Sequence, residues 1–273
     1  MKVGFVGAGR MGRPMVRRLV AGGYEVQVVD RSHAVLEQLA ADGATPVASI
    51  AAVATGADAV ILCVYSDEQV RDVALAEGLL DSMEPGSVLV IHTTGSPRTA
   101  QELATYGTRS GVSVVDATIS GGPDQIAVGQ ITVFAGGDRG AVDRVRPIVG
   151  QYAEPLLYVG DTGAGQAIKL LNNALFAANI ALVMETVRLA VRLGLTEQEA
   201  LQSLRHGSSD SQALGMIAAS GSTALFADTV REFLNKDVEV VRRVVSGLGV
   251  DLGALQGVLD SPAGISILGT PVK

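Results

Sequence analysis

One stretch near the start of the chain restricts the possible folds more than any other. Lys2 to Val6 (KVGFV) reads as a short buried strand and runs into Gly7, Gly9 and Gly12 of GAGRMG. A helix-like stretch, PMVRRLVAGG, then closes on Gly22 and Gly23, and a second strand over Glu25 to Val29 ends at Asp30. Glycines at this spacing between a strand and a helix permit a tight turn, close approach of backbone to a pyrophosphate, and close packing of helix on strand. The unpaired N–H groups of the helix N-terminus would face that anion. Gly7, Gly9, Arg10, Met11 and Gly12 are therefore expected to hold a dinucleotide, with Asp30 accepting hydrogen bonds from its ribose. Asp30 would repel the 2′-phosphate of NADP, whereas Arg31 and Ser32 could bind it with the carboxylate turned away. NAD is the favoured cofactor and NADP the alternative. Arg31 could equally lie over an adenine face, which serves either.

The next segments alternate in type. Ser32 to Ala41 reads as helix, Ala44 to Pro46 as a short connection, and Ile50 to Gly56 as a second short helix. Ala59 to Val64 and Ser87 to His92 are apolar runs of the kind buried on both faces of a parallel sheet, with helices over Asp67 to Leu75 and Pro97 to Tyr106. Further strands are expected over Val112 to Val115, Gln130 to Ala135 and Leu156 to Val159, with a helix over Ala141 to Val149. The spacing predicts a parallel, doubly wound Rossmann-type sheet with its ligand across the carboxyl ends of the strands, where Val64, Tyr65, Thr93 and Thr94 would lie. Cys63 is read as a core residue, His92 as a core or rim residue, and His33 and His206 as solvated.

Two later stretches carry chemistry. Ser120, Gly121 and Gly122 could offer a hydroxyl and two unobstructed backbone N–H groups to a small anion. After the glycine-rich turn at Gly163, the run from Gln166 to about Leu193 holds no Gly or Pro until Gly194, so it can form one helix of roughly 40 Å. Lys169 and Asn173 share a face of it, four residues apart, with Asn172 turned away. No strand is expected beyond it. The division is a dinucleotide-binding domain over 1–162 and an all-helical domain over 163–273.

Composition excludes other classes. With 48% hydrophobic residues and 33 glycines in 273 residues, the chain is globular and turn-rich. A net charge of -7 without a basic block speaks against nucleic acid or an anionic membrane as partner. One cysteine excludes an intrachain disulfide framework and cannot hold zinc alone, and no metal is expected. The N-terminus lacks the pattern of a signal peptide, and no apolar run is expected to approach the ~20 residues of a membrane span. A cytoplasmic location follows as the expectation.

Four separated motifs coincide: GFVGAGRMGRPM (4–15), DATISGG (116–122) with GQITVFAGG (129–137), GAGQAIKLLNN (163–173) and NKD (235–237). Together they resemble the β-hydroxyacid dehydrogenase family, which includes 3-hydroxyisobutyrate dehydrogenases and tartronate semialdehyde reductases. The resemblance implies an NAD(P)-dependent oxidoreductase acting on a small 3-hydroxy acid or its semialdehyde. By resemblance, Lys169 is the catalytic acid/base, Asn173 its substrate-binding neighbour, and Ser120, Gly121 and Gly122 the carboxylate cradle. Lys236 would lie near nicotinamide and substrate, and Ser211 would line the pocket. Lysine suits the role because burial and a positive ring both disfavour its charged form. The resemblance also implies that the helical domain pairs with its copy in a homodimer or homotetramer, and the apolar residues spread around the long helix support this. Departures are Thr118, where the family usually has proline, Ile119 for the common valine, and Ser261 to Lys273, which does not read as the family's closing helix and acidic tail. The alternatives are an NADPH-dependent reductase of small aldehydes or imines, and a catalytically silent dinucleotide sensor.

Overall fold

The computed structural model describes residues 1–268. Eight strands form one sheet: β1 (Lys2–Val6), β2 (Glu25–Val29), β3 (Thr45–Pro46), β4 (Ala59–Leu62), β5 (Val88–Ile91), β6 (Ser113–Ser120), β7 (Ile131–Gly136) and β8 (Ala153–Gly160). Their order is β3-β2-β1-β4-β5-β6-β7-β8. The chain winds outward from β1 to β3 and returns on the other side of β1 at β4, so the loops after β1 and β4 diverge and leave a crevice at their carboxyl ends.

The connecting helices are α1 (Gly12–Ala21), α2 (His33–Ala41), α3 (Ile50–Ala54), α4 (Asp67–Arg71), α5 (Leu79–Ser82), α6 (Pro97–Gly107), α7 (Pro123–Ala127) and α8 (Arg139–Val149). Each sheet face is covered. Val3 and Phe5 share a cluster with Met15 and Leu19 of α1 and Val145 and Ile148 of α8. Leu62, Leu89 and Ile91 share another with Val53, Leu79, Leu80 and Leu103. Each such side chain contributes about 1.5–3 kcal/mol by leaving water. Gly12 lets α1 sit this close: a Cβ there would lie 2.3 Å from the Gly7 carbonyl oxygen and 2.8 Å from the Phe5 ring.

The sheet is not wholly parallel, as was expected. β6 and β7 pair antiparallel, Ser120 opposite Thr132. Residues 121–130 hold only the five-residue α7, and a parallel crossover needs about a dozen residues or more. β6 also runs on through Asp116 to Ser120, beyond the strand expected over Val112 to Val115. Thr45–Pro46 is an edge strand rather than a connection. The helix expected over Asp67 to Leu75 is α4 followed by a π-helical turn, Asp72–Ala76.

The chain divides into two compact units, Met1–Lys169 and Leu170–Lys273. α9 (Ala164–Arg192) begins in the first and ends in the second, which also holds α10 (Glu197–Leu204), α11 (Gln212–Ser220), α12 (Thr223–Gly247), α13 (Ala254–Leu259) and α14 (Pro262–Leu268). The second unit's core joins Ala177, Ile180 and Ala181 of α9 to Ile217, Phe226, Val230, Leu234 and Ile267. Thr196, Ser211 and Ser222 cap its helices in turn. Two expectations fail here. α14 is a closing helix with Ile267 and Leu268 buried, although Ser261 to Lys273 did not read as one; residues 269–273 of that stretch lie outside the described residues. α9, with a mean hydropathy of 1.7, is long and apolar enough by composition to cross a membrane. Ala177, Ala178, Ile180 and Ala181 of this helix lie in the core of the second unit.

Candidate active site

At the carboxyl ends of β1, β2 and β4 lies a cavity of about 730 Å³. Gly7, Gly9, Arg10, Met11, Asp30, Arg31, Val64 and Tyr65 line it. Gly7, at φ +89°, needs glycine for its backbone. Gly9 differs: a Cβ there would meet no protein atom within 4 Å, so what its missing side chain leaves clear is the cavity mouth before α1. That is the fit a pyrophosphate requires at a helix N-terminus. The opposite wall comes from Ser49 and Ile50 and from Gln69, Asp72 and Val73 around the π-helical turn. Sequence reasoning missed this wall, since it read Asp67 to Leu75 as plain helix. Cys63, expected in the core, is half-buried and faces the same cavity because β4 ends one residue before it.

Asp30 is fastened in place. Its carboxylate accepts from the backbone N–H of Ala8 in the glycine loop (2.7 Å) and of Ser32 (2.8 Å). Ser32 itself is exposed and does not line the cavity. Thr93 ties the β5 end to the β4 end: its hydroxyl donates to the Val64 carbonyl (2.9 Å) and accepts from the Val64 N–H (3.0 Å). Thr94, the next residue, is buried.

Around Ser120 the structure corrects the expected two-amide cradle. Gly121, at φ +135°, turns the chain at the end of β6, but the Gly122 N–H donates to Gln125 Oε1 (2.9 Å). The Ser120 hydroxyl and the Gly121 N–H are the other two donors of the expected cradle, and Gln125 lies close against Gly121. Gln125 sits at the third position of α7, where a side chain reaches back to the helix start, and that spacing was legible in GGPDQ.

The start of α9 is bound to β6. Asp116, buried, accepts from the N–H of Gly163 (2.7 Å) and of Gln166 (2.8 Å). Burial pushes its carboxyl up to about 6, against the opposing pull of these backbone N–H groups. Lys169 follows within the next turn and is half-buried. His92 is a core residue, as expected. Its Nδ1 faces the Ala117 carbonyl and its Nε2 lies 2.7 Å from the Tyr152 hydroxyl, and burial lowers its pKa to about 4.

In the second unit, the buried Asn173 donates through Nδ2 to Asp237 and accepts at Oδ1 from Asn172 (3.0 Å). Lys236 Nζ lies 3.3 Å from Asp237 Oδ1. Asp237, only 5% exposed, is a residue that sequence reasoning passed over even though NKD contains it. The Ser211 hydroxyl accepts from Leu214 N–H (3.1 Å) and so caps α11.

Comparison with known proteins gives the family. The model of the NAD-binding domain of 6-phosphogluconate dehydrogenase matches residues 2–160. The model described as NAD-binding of NADP-dependent 3-hydroxyisobutyrate dehydrogenase matches residues 163–260. An uncharacterized oxidoreductase of Mycobacterium tuberculosis is 32% identical over 93% of this chain and 90% of its own. The NAD-dependent L-serine dehydrogenase of Pseudomonas aeruginosa is 31% identical over 78% of this chain and 72% of its own. The structure of M. tuberculosis 3-hydroxyisobutyrate dehydrogenase with L-serine superposes with a TM-score of 0.86 at 26% identity, covering 95% of this chain and 91% of that one. A glycine loop that leaves room for a dinucleotide, followed by a helical half matched in the same order, places the chain in the β-hydroxyacid dehydrogenase family, oxidoreductases that act on the CH–OH group of hydroxy acids with NAD or NADP.

Proposed function

We propose that this protein oxidises a small 3-hydroxy acid, or reduces the corresponding semialdehyde, with Lys169 as general acid/base and NAD as the preferred cofactor. The observation that carries this reading is the anchoring of the Lys169 helix on β6, the strand that two residues beyond Thr118 presents Ser120. A substrate carboxylate is held by the Ser120 hydroxyl and the Gly121 N–H. Lys169 Nζ takes the proton of the 3-hydroxyl in oxidation and returns it in reduction, and its positive form stabilises charge on that oxygen. The bound dinucleotide supplies the hydride acceptor. Asn173, locked by Asp237, gives the next turn of the helix a fixed amide.

NAD is favoured because Asp30, held at both carboxylate oxygens by backbone N–H groups, does not turn away from the ribose edge to admit a 2′-phosphate. The functional unit is read as a homodimer or homotetramer. Leu175, Leu182 and Leu189, seven residues apart along α9, are 54%, 51% and 48% exposed, a stripe that a second copy would cover.

The test is turnover, followed by nicotinamide absorbance, with L-serine, 3-hydroxyisobutyrate and related acids and both cofactors. Lys169→Ala should lower kcat by about 10²–10⁴-fold while NAD affinity stays within a few-fold. A variant that keeps a tenth of wild-type kcat refutes the assignment.

A further inference from the structure

The first turn of α9 is gripped by three side chains that take no direct part in the proposed proton and hydride transfer. Asp116 on β6 accepts from the N–H groups of Gly163 and Gln166. Thr118, two residues along the same strand and buried, donates from its hydroxyl to the Gly165 carbonyl (2.8 Å). In α-helical geometry that carbonyl also accepts the N–H of Lys169 itself. A proline at this position could not donate this bond. The third side chain belongs to the helix. Gln166, 2% exposed, accepts at Oε1 from the Gly95 N–H (2.8 Å) and donates from Nε2 to the Thr93 carbonyl (2.8 Å).

The packing leaves the turn no room to shift. A Cβ on Gly165 would lie 2.2 Å from the Asp116 carbonyl oxygen and 2.6 Å from that of Phe134, so the helix start touches both β6 and β7. Gln166 then bridges this start to the loop after β5. Through the paired hydrogen bonds of Thr93, that loop is joined to Val64 at the edge of the dinucleotide cavity. Cavity wall, β5 loop and Lys169 helix thus form one connected chain of hydrogen bonds, buried at Gln166 and part-buried at Val64. Both polar ends of Gln166 are used, and no shorter or apolar side chain reproduces them.

We propose that Gln166 is a positioning residue that couples the dinucleotide site to the Lys169 helix, with Asp116 and Thr118 holding the platform on which it acts. Dinucleotide binding at the Val64 edge fixes the Thr93–Gly95 loop, and Gln166 passes that constraint to the turn that sets where Lys169 stands over the substrate carboxylate site at Ser120. The catalytic part of this inference rests on the reading of Lys169 as the acid/base, and the binding part does not.

The test uses the full-length enzyme and two variants. Gln166→Met keeps the length and removes both hydrogen bonds; Gln166→Glu keeps the acceptor for Gly95 and loses the donor to Thr93. Two quantities are read: kcat with KM for the best hydroxy acid of the panel, and the NADH dissociation constant by fluorescence with and without isobutyrate, a carboxylate that cannot be oxidised. In the wild type, isobutyrate should tighten NADH binding. In Gln166→Met that mutual effect should fall to about none and kcat by roughly ten- to a hundredfold, the scale on which a misplacement of ~1 Å costs rate. The NADH constant without isobutyrate should change less than about threefold, which general loosening of the fold would not allow. Gln166→Glu, which sets a carboxylate oxygen against the Thr93 carbonyl, should lose at least as much mutual effect as Gln166→Met, and it carries the test if Gln166→Met does not fold. Absence of mutual tightening in the wild type, its survival in a folded variant, or a kcat loss matched by an equal loss of NADH affinity overturns the proposal. Since isobutyrate binding involves no turnover, a Lys169→Ala enzyme that stays active would sink the acid/base reading and leave this result standing.

Discussion

His92 and Asp116 make opposite contributions to stability over the same acidic range, and removing either should expose the other. The Ala117 carbonyl can only accept, so His92 Nδ1 carries the proton and Nε2 accepts from the Tyr152 hydroxyl in a site closed to water. A second proton on Nε2 would set donor against donor or force the tyrosine proton into apolar surroundings. The folded pKa of about 4 lies below the ordinary 6.5, so between these values the unfolded chain binds more protons. This contribution is fully present above pH 6.5 and is lost as pH falls through 4, worth about 3 kcal/mol at ~1.4 kcal/mol per pH unit. For Asp116 the folded pKa of about 6 lies above 3.8, so the sign reverses. Its contribution is present below pH 3.8 and is lost as pH rises through 6, again about 3 kcal/mol. The assay is urea unfolding of wild type, His92→Gln and Asp116→Asn from pH 4 to 7.5, read as differences from wild type so that all other titrating groups cancel. The deficit of His92→Gln should shrink by about 3 kcal/mol on acidification, and that of Asp116→Asn should grow by a similar amount. Differences that do not change with pH would refute the argument.

The other expectations concern cofactor and assembly. Asp30→Asn places an amide NH2 against one of two backbone donors and removes the charge that opposes a 2′-phosphate, so the ratio of KM for NADP to KM for NAD should fall about ten- to a hundredfold, the value of one charge-assisted hydrogen bond; an unchanged ratio would give the discrimination to another wall of the cavity. Light scattering at micromolar concentration should show at least a dimer, and Leu182→Glu in the exposed stripe of α9 should shift it toward single chains; a wild type that is monomeric and active would mean that the stripe is not an interface.

Much of this protein was readable from short stretches of chain. The glycine spacing from Gly7 to Gly12, the apolar runs of β1, β4 and β5, Asp30 at the end of β2 and the unbroken run of α9 all depend on residues close in sequence, where turn geometry and periodicity act directly. The core placement of His92 was legible too, since a lone histidine ending an apolar strand has little else to do. The tertiary structure decided what depends on distant partners. The antiparallel pairing of β7 with β6 appears only in the folded sheet, although its cause, a ten-residue connection holding only α7, and the three-residue spacing that gives the Gly122 N–H to Gln125 were both present in the sequence. Thr118 read as a mere departure until β6 was found against the start of α9, with Asp116 bonded to residues 47 and 50 positions away. Hydrogen bonds of that span leave no periodic trace in a sequence, because only the packing of one element on another brings donor and acceptor together.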